Sequence, residues 1–285
     1  MPGHEDFVYL NGTYLPRGKA CLSVEDRGTL FADGVYEVVR YVDGRSFAMQ
    51  DHLDRLRRSL AGVRLAEPKI VADLPAISDE LVGRNQLANA KVYWQITRGP
   101  GPRNPLLPTD PRPSVLAMTY PCPPLPDEPA APIRAVLIED VRWAHCWIKS
   151  LMLLPNVLAR DEAIRAGAAD AILHRQGVVT EATSANVMLV REGQIITPPT
   201  DGRILAGITR QHQLAVARSL NMAVHERAVT CDALFAADEI WLTSTTLEVQ
   251  PVSHVNGRAI GDGGVGPLAG RVARAFARHV QSRLA

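Results

Sequence analysis

Lys149 stands in Trp143-Ala-His-Cys-Trp147-Ile-Lys149-Ser-Leu-Met-Leu-Leu154, an apolar stretch of a chain that has four lysines against 27 arginines. An ammonium in such surroundings loses solvation. That favours the neutral amine, a nucleophile able to condense with a carbonyl. The plainer alternative is a lysine at a strand end that lays its stem on apolar surface and keeps its head in water. What separates the two is whether the chain also offers what a carbonyl-bearing cofactor needs.

Pyridoxal phosphate is the natural candidate, and its needs are definite: a carboxylate beside the ring nitrogen, and N–H groups, hydroxyls and an arginine around the phosphate. Glu181, in Val178-Val-Thr-Glu-Ala-Thr-Ser-Ala-Asn186, is a carboxylate just beyond a strand pair turning at Gln176-Gly177. Gly207 precedes a helical run, so the N–H groups of Ile208 and Thr209 open a helix that can hold an anion. Thr243-Ser-Thr-Thr246 supplies hydroxyls at a strand end, and Arg55 lies on a helix beside Leu53 and Leu56, with a guanidinium suited to bidentate phosphate pairing. Each has an ordinary alternative: a turn glutamate, a capped glycine turn, strand-end decoration, a solvated arginine. Their joint occurrence matches one cofactor.

The elements that position these residues fall in two parts. Residues 121–132, Pro-Cys-Pro-Pro-Leu-Pro-Asp-Glu-Pro-Ala-Ala-Pro, hold six prolines and can be neither helix nor central strand. They read as a linker between an N-terminal domain, 1–120, and a C-terminal domain, 133–285, that carries Lys149. Hairpins are expected at Asn11-Gly12 and Asp43-Gly44, a helix at 52–60, and strands at 91–97 and 114–120, with an irregular Gly/Pro loop from Arg98. The second part begins with a strand at 133–138. It should continue with a helix at 156–166 closed by Gly167, strands at 171–174, 186–190 and 239–243, and helices near 209–220 and 268–284. Strands and helices are segregated rather than alternating, so the fold class is α+β.

In combination and order, Glu25-Asp-Arg-Gly28, Phe31-Ala-Asp-Gly-Val-Tyr-Glu-Val-Val-Arg40, His52-Leu-Asp-Arg-Leu56, Ile148-Lys-Ser-Leu151, Thr180-Glu-Ala-Thr-Ser-Ala-Asn186, Gly207-Ile-Thr-Arg210 and Thr243-Ser-Thr-Thr246 closely resemble the class IV (fold-type IV) pyridoxal-phosphate aminotransferases. Within that class they are most similar to the D-amino acid aminotransferases, over about residues 7–265. The resemblance implies a smaller N-terminal α/β domain and a larger β-barrel-like C-terminal domain with helices. It also implies pyridoxal 5'-phosphate in the interdomain cleft and a homodimer whose partner loop closes each site. By the same resemblance Lys149 is the Schiff-base lysine and proton shuttle, and Glu181 is the partner of the ring nitrogen. Arg55, Ile208, Thr209 and Thr245 form the phosphate cup with Gly207, Ser184 and Asn186 stand on the cofactor side, and Leu205 packs on the ring. The family holds the substrate carboxylate with a tyrosine, here Tyr36, and an Arg-x-His pair. Arg103 matches the arginine, but Pro105 stands where the histidine should be. Arg98 and Arg40 have guanidiniums suited to a carboxylate and are the candidates to compensate, with a loop-stabilising arginine and a surface strand arginine as their ordinary alternatives.

The function expected is transfer of an amino group from a D-amino acid, D-alanine in type, to a 2-oxo acid such as 2-oxoglutarate. A branched-chain L-aminotransferase, an (R)-amine transaminase and a 4-amino-4-deoxychorismate lyase would share the lysine and cofactor site. A non-catalytic cofactor-binding or interaction protein is the alternative of a different class. A net charge of +1 without a basic run gives no footprint for nucleic acid. The first residues have neither a basic nor an apolar leader segment, and no apolar run is long enough to span a bilayer. Four scattered cysteines without a C-x-x-C pair point to neither zinc nor a disulfide framework, so a cytoplasmic enzyme is expected. The glycine-rich run at 257–266 reads as a surface turn, and His145 as a core histidine.

Overall fold

The computed structural model describes residues 6–284, so the first five residues, read above for a leader, lie outside it. The chain forms two compact units. One comprises the described residues to Pro124 with Ile148–Met152 and Leu284. The other comprises Leu125–Trp147 and Leu153–Arg283.

The first unit contains β1 (Phe7–Leu10), β2 (Thr13–Pro16), α1 (Arg27–Phe31), β3 (Gly34–Val42), β4 (Arg45–Ser46), α2 (Met49–Gly62), α3 (Leu74–Arg84), β5 (Ala90–Thr97) and β6 (Ser114–Pro121). The strands make one antiparallel sheet in the order β2-β1-β6-β5-β3-β4. Its hairpins turn where expected. Asn11 and Gly12 (φ 48° and 97°), like Asp43 and Gly44 (48° and 75°), take the left-handed conformation a two-residue hairpin demands. Along β3, Val35, Glu37, Val39 and Tyr41 share one buried face, and α2 and α3 pack on that face. Helix α2 buries Leu53, Leu56 and Leu60 as its spacing predicts. Helix α3, absent from the sequence reading, has the same kind of stripe in Leu74, Ile77, Leu81 and Val82. The opposite face of the sheet carries Tyr36 and Gln95, paired across β3 and β5, then Val38 and Tyr93, then Arg40 and Lys91.

The second unit contains β7 (Ile133–Glu139), α4 (Leu154–Arg165), β8 (Asp170–Arg175), β9 (Val178–Ala182), β10 (Asn186–Arg191), β11 (Gln194–Thr197), α5 (Ile208–Ser219) and β12 (Val224–Glu226). After these come α6 (Cys231–Phe235), β13 (Glu239–Thr243), β14 (Gln250–Val255), β15 (Arg258–Ala259) and α7 (Pro267–Leu284). Its sheet is mixed and nine-stranded, in the order β12-β11-β10-β13-β14-β7-β8-β9 with β15 on β14. Three residues join β9 to β10, so the link reaches at most about 15 Å. In a flat sheet five strand spacings, about 24 Å, would separate these two strands. The sheet therefore curls, which gives the barrel-like form expected. Strict alternation serves it. Val187 and Leu189 enter a core with Ile172, Leu242 and Val252 inside the curl, while Met188 and Val190 meet Leu214 of α5 and Val272 of α7 on its outer side.

Two expectations need correction. Lys149 is expected in the C-terminal domain, but its segment packs in the first unit. There Leu151 N–H donates to Gly34 O (3.1 Å), Tyr36 N–H donates to Lys149 O (2.9 Å), and Ser150 bridges to Val35. Nor is His145 in the core: the chain from 140 to 149 is irregular, and His145 is exposed, edge-on to Trp143. Among the described residues no helix is long and apolar enough to cross a membrane, no cluster suits a metal ion, and all four cysteines are free.

Candidate active site

In the first unit the lysine is held by its backbone. Besides the pairing to β3, Lys149 N–H donates to Ser59 Oγ of α2 (3.1 Å). The approach requires Gly34: a Cβ there would stand 2.6 Å from Ile96 O and 2.8 Å from Leu151 Cδ1. The half-buried Lys149 side chain sets Nζ 4.1 Å from the centre of the Tyr36 ring, a cation–π contact. Tyr36 in turn lies 5.6 Å from the Tyr93 ring.

On the other face of β3, Glu37 is fully buried and takes Arg55 in a fork, Nε to Oε1 at 2.6 Å and Nη2 to Oε2 at 2.8 Å. His52, one helical turn before Arg55, sets Nδ1 2.9 Å from Glu37 Oε2. Burial alone would push the Glu37 carboxyl up, but Arg55 and His52 together hold it far below the usual carboxylate range. Burial also lowers His52 against the pull of Glu37, with the Arg55 and Lys149 charges adding to the effect. Glu37 and His52 carry no role in the sequence reading. A charged residue on the apolar face of β3, facing a His-x-x-Arg pair, was the available signal for a buried ion pair.

The arginines named for the substrate carboxylate are placed differently from what was expected. Arg98 donates through Nε to Asp33, and through Nη1 and Nη2 to Arg64 O and Val63 O at the C-terminal end of α2 (3.0 and 2.6 Å). Arg40 donates to Pro123 O (2.7 Å) and Cys122 Sγ. Both are buried and bonded into the fold, Arg98 as its loop-stabilising alternative has it and Arg40 in the interior rather than on the surface. Arg103 and Pro105 lie exposed on the loop after β5.

In the second unit Glu181, at the end of β9, is buried with three donors. Arg142 Nη1 bonds it directly, Asn186 Nδ2 donates at 3.0 Å and Leu205 N–H at 3.2 Å. Arg142 is itself forked onto Asp140 through Nε and Nη2, both at 2.9 Å, and Thr180 Oγ1 also donates to Asp140 (2.8 Å). Here burial dominates. It pushes the Glu181 carboxyl up although Arg142 and the Leu205 N–H pull it down, and Asp140 adds to the rise. Asp140 and Arg142 were missed by sequence reasoning, because Asp-x-Arg at the end of a strand has no distinctive spacing.

Asn186 gathers the unit's other candidates. Its Nδ2 also donates to Leu205 O (2.9 Å), and its backbone pairs β10 with Thr243 at the end of β13. Its Oδ1 would lie 2.1 Å from a Cβ at position 207, so only glycine fits there. Gly207 is the N-cap of α5 and gives no side-chain cap, leaving the N–H groups of Ile208 and Thr209 at an uncapped helix start. The buried Thr243 hydroxyl has no hydrogen-bond partner among the described residues. Thr245 and Leu205 are half-buried, and Ser184 is exposed. Each unit thus carries its own candidates: in the first, Lys149 beside Tyr36 on one face of β3 and Arg55 on the other; in the second, Glu181, Asn186, Leu205, Gly207, Ile208, Thr209 and the 243–245 hydroxyls.

Residues 34–255 match the model of the family described as amino-transferase class IV. The chain is 37% identical over 277 residues to D-alanine aminotransferase of Staphylococcus haemolyticus, covering 97% of this chain and 98% of that relative. It is 39% identical over 278 residues to D-alanine aminotransferase of Bacillus licheniformis, covering 98% of each. Among solved structures it is similar to the branched-chain aminotransferase of the thermophilic archaeon Thermoproteus uzoniensis with norvaline, with a TM-score of 0.85 and 26% identity, covering 97% of this chain and 95% of that one. With a family match over most of its length and relatives covered to 97% or more, this chain belongs to the class IV aminotransferases.

Proposed function

We propose that the protein is a pyridoxal-phosphate-dependent aminotransferase that moves the amino group of a D-amino acid, D-alanine in type, to a 2-oxo acid such as 2-oxoglutarate. The observation that carries this reading is Glu181, a buried carboxylate fixed by three donors and pushed up by burial, beside a helix start without a cap. The near full-length relatives named D-alanine aminotransferase support the substrate class.

The residues present fit the cofactor. Burial makes a bare Glu181 carboxylate costly, and a cationic ring nitrogen beside it offsets that cost. The N–H groups of Ile208 and Thr209, the glycine required at 207 and the unpartnered Thr243 hydroxyl suit a phosphate. Thr209, Thr245 and Arg55 would complete its shell, Glu37 fixing the plane of the Arg55 guanidinium. Leu205 would pack on the ring, with Ser184 and Asn186 at its side. When bound, the cofactor supplies the electron sink that makes the amino acid Cα–H acidic. Lys149 Nζ is the general base that takes the Cα proton and later returns it, steadied while cationic by the Tyr36 ring. Tyr36 and Arg103 bind the α-carboxylate, and the two half-reactions alternate on one site, so kinetics are ping-pong.

The protein acts as a homodimer in the cytoplasm in this reading. Helix α4 supports the dimer: Leu154, Val157, Leu158 and Ile164 are each more than half exposed, an apolar surface that a second copy would cover. Leu158→Glu should yield a monomer in sedimentation; an unchanged dimer would move the interface elsewhere. The free cysteines suit a reducing compartment.

The deciding experiment adds D-alanine, without acceptor, to cofactor-loaded protein and follows the visible band of the cofactor. Loss of the band with stoichiometric pyruvate is expected. An unchanged band with D-alanine, together with conversion by L-leucine, overturns the D-amino acid reading in favour of a branched-chain one.

A further inference from the structure

Pro105 leaves the substrate carboxylate one donor short, and the two buried arginines named to replace it bond carbonyls, Cys122 and Asp33. The sheet face beside the lysine offers a different group. Gln95 on β5 is the direct cross-strand partner of Tyr36, so both side chains rise from the same face about 5 Å apart at Cβ. Tyr93, two residues earlier on that face, donates its hydroxyl to Gln95 Oε1 at 2.8 Å. Burial pushes the Tyr93 hydroxyl up, so it stays a donor at every physiological pH. With its oxygen engaged, the Gln95 amide is oriented, and its nitrogen makes no hydrogen bond among the described residues. The two N–H groups remain on a half-buried face, beside the Tyr36 ring whose centre lies 4.1 Å from Lys149 Nζ.

We propose that Gln95 is the second donor to the substrate α-carboxylate, acting with Tyr36 where Pro105 supplies nothing, and that Tyr93 is its positioning residue. The inference rests on the aminotransferase reading above. A carboxamide suits the task because it donates two hydrogen bonds and cannot titrate. It also stands on a strand paired on both sides, where a loop residue would be held less firmly.

The test uses the cofactor-loaded protein and its half-reaction with D-alanine, read as limiting rate and half-saturating concentration, with cofactor dissociation measured separately. Gln95→Leu should raise the half-saturating D-alanine concentration about tenfold or more, the usual scale for a hydrogen bond to a charged group. The nearly isosteric Gln95→Glu should raise it further, because a carboxylate would face a carboxylate. Tyr93→Phe should give a smaller rise. Limiting rate and cofactor dissociation should stay near wild type in all three. A purely structural role predicts the reverse order, with Glu milder than Leu and cofactor dissociation disturbed in parallel. That order, or wild-type saturation by D-alanine in Gln95→Glu, overturns the proposal. Wild-type protein inert to D-alanine would instead overturn the underlying substrate reading, so the two failures are distinguishable.

Discussion

Glu37 and Glu181 are both buried glutamates bonded to an arginine, yet the first is driven far below its ordinary pKa and the second above it. The difference lies in what else the arginine does. Arg55 gives the Nε edge of its guanidinium to Glu37 in a fork, and His52 adds a second contact. Arg142 gives that edge to Asp140 and touches Glu181 with Nη1 alone. Glu37 is thus compensated in place and acts as an anchor between β3 and α2. Glu181 is under-compensated, a carboxylate that gains when a further cation arrives beside it. A buried pair is a structural fastener or a waiting site according to how completely its charge is already answered.

The largest expected effect comes from the amine that serves neither pair. Lys149→Ala should cut the D-alanine half-reaction by about a thousandfold or more, the upper range for losing a general base, while leaving unfolding free energy near wild type. The backbone bonds that seat the segment do not involve its side chain. Retained turnover in that variant removes Lys149 from the mechanism. Next is Glu37→Gln, which strands the Arg55 guanidinium in the interior and should cost about 3–5 kcal/mol in urea unfolding. A loss under about 1 kcal/mol, the scale of an exposed pair, would show that Glu37 is no anchor.

Glu181→Gln should invert that pattern. A carboxamide cannot answer a ring-nitrogen cation, so the half-reaction should slow by about a hundredfold, the scale of one lost electrostatic contact in a water-excluded site. Stability of the cofactor-free protein should change much less than in Glu37→Gln, because Arg142 keeps its fork on Asp140. A variant that keeps its rate but unfolds easily would make the two glutamates alike, and the distinction between them would collapse.

Local pattern carried much of this. The hairpin at Asn11-Gly12 and the stripe of Leu53, Leu56 and Leu60 were readable because turn chemistry and helical period act over a few residues. Helix α3 shows the same period in Leu74, Ile77 and Leu81. Motif order marked Lys149 and Glu181 as candidates, and the glycine before a helical run marked the start of α5. What could not be read were partnerships across distance: Glu37 with Arg55, Arg142 with Glu181, and Arg98 with the end of α2, separated by 18, 39 and 35 residues. Charge type alone does not say which carbonyl or carboxylate an arginine will meet. Sequence therefore leaves Arg98 and Arg40 open between a substrate and the fold, and their buried bonds run to the fold.

The smallest and most discriminating effect is the pH dependence of stability in the cofactor-free protein. The folded pKa of Glu37 lies below its unfolded value of about 4.3, so its contribution is complete above that pH. It is lost as the pH falls, because the unfolded chain takes up a proton that the folded one refuses. For Glu181 the sign is opposite. Between about 4.3 and its raised folded value, the folded protein keeps a proton the unfolded chain has released, so stability declines as the pH rises through that window. Each slope is bounded at about 1.4 kcal/mol per pH unit. Urea unfolding from about pH 3 to 7 should therefore show an acid limb that Glu181→Gln leaves intact and an upper decline that it removes. Loading the cofactor should remove the same decline in the wild type, since a cation beside Glu181 makes its ionised form the stable one. If Glu181→Gln and wild type decline in parallel above about pH 4.3, burial does not govern this carboxylate, and Glu181 is as fully answered as Glu37.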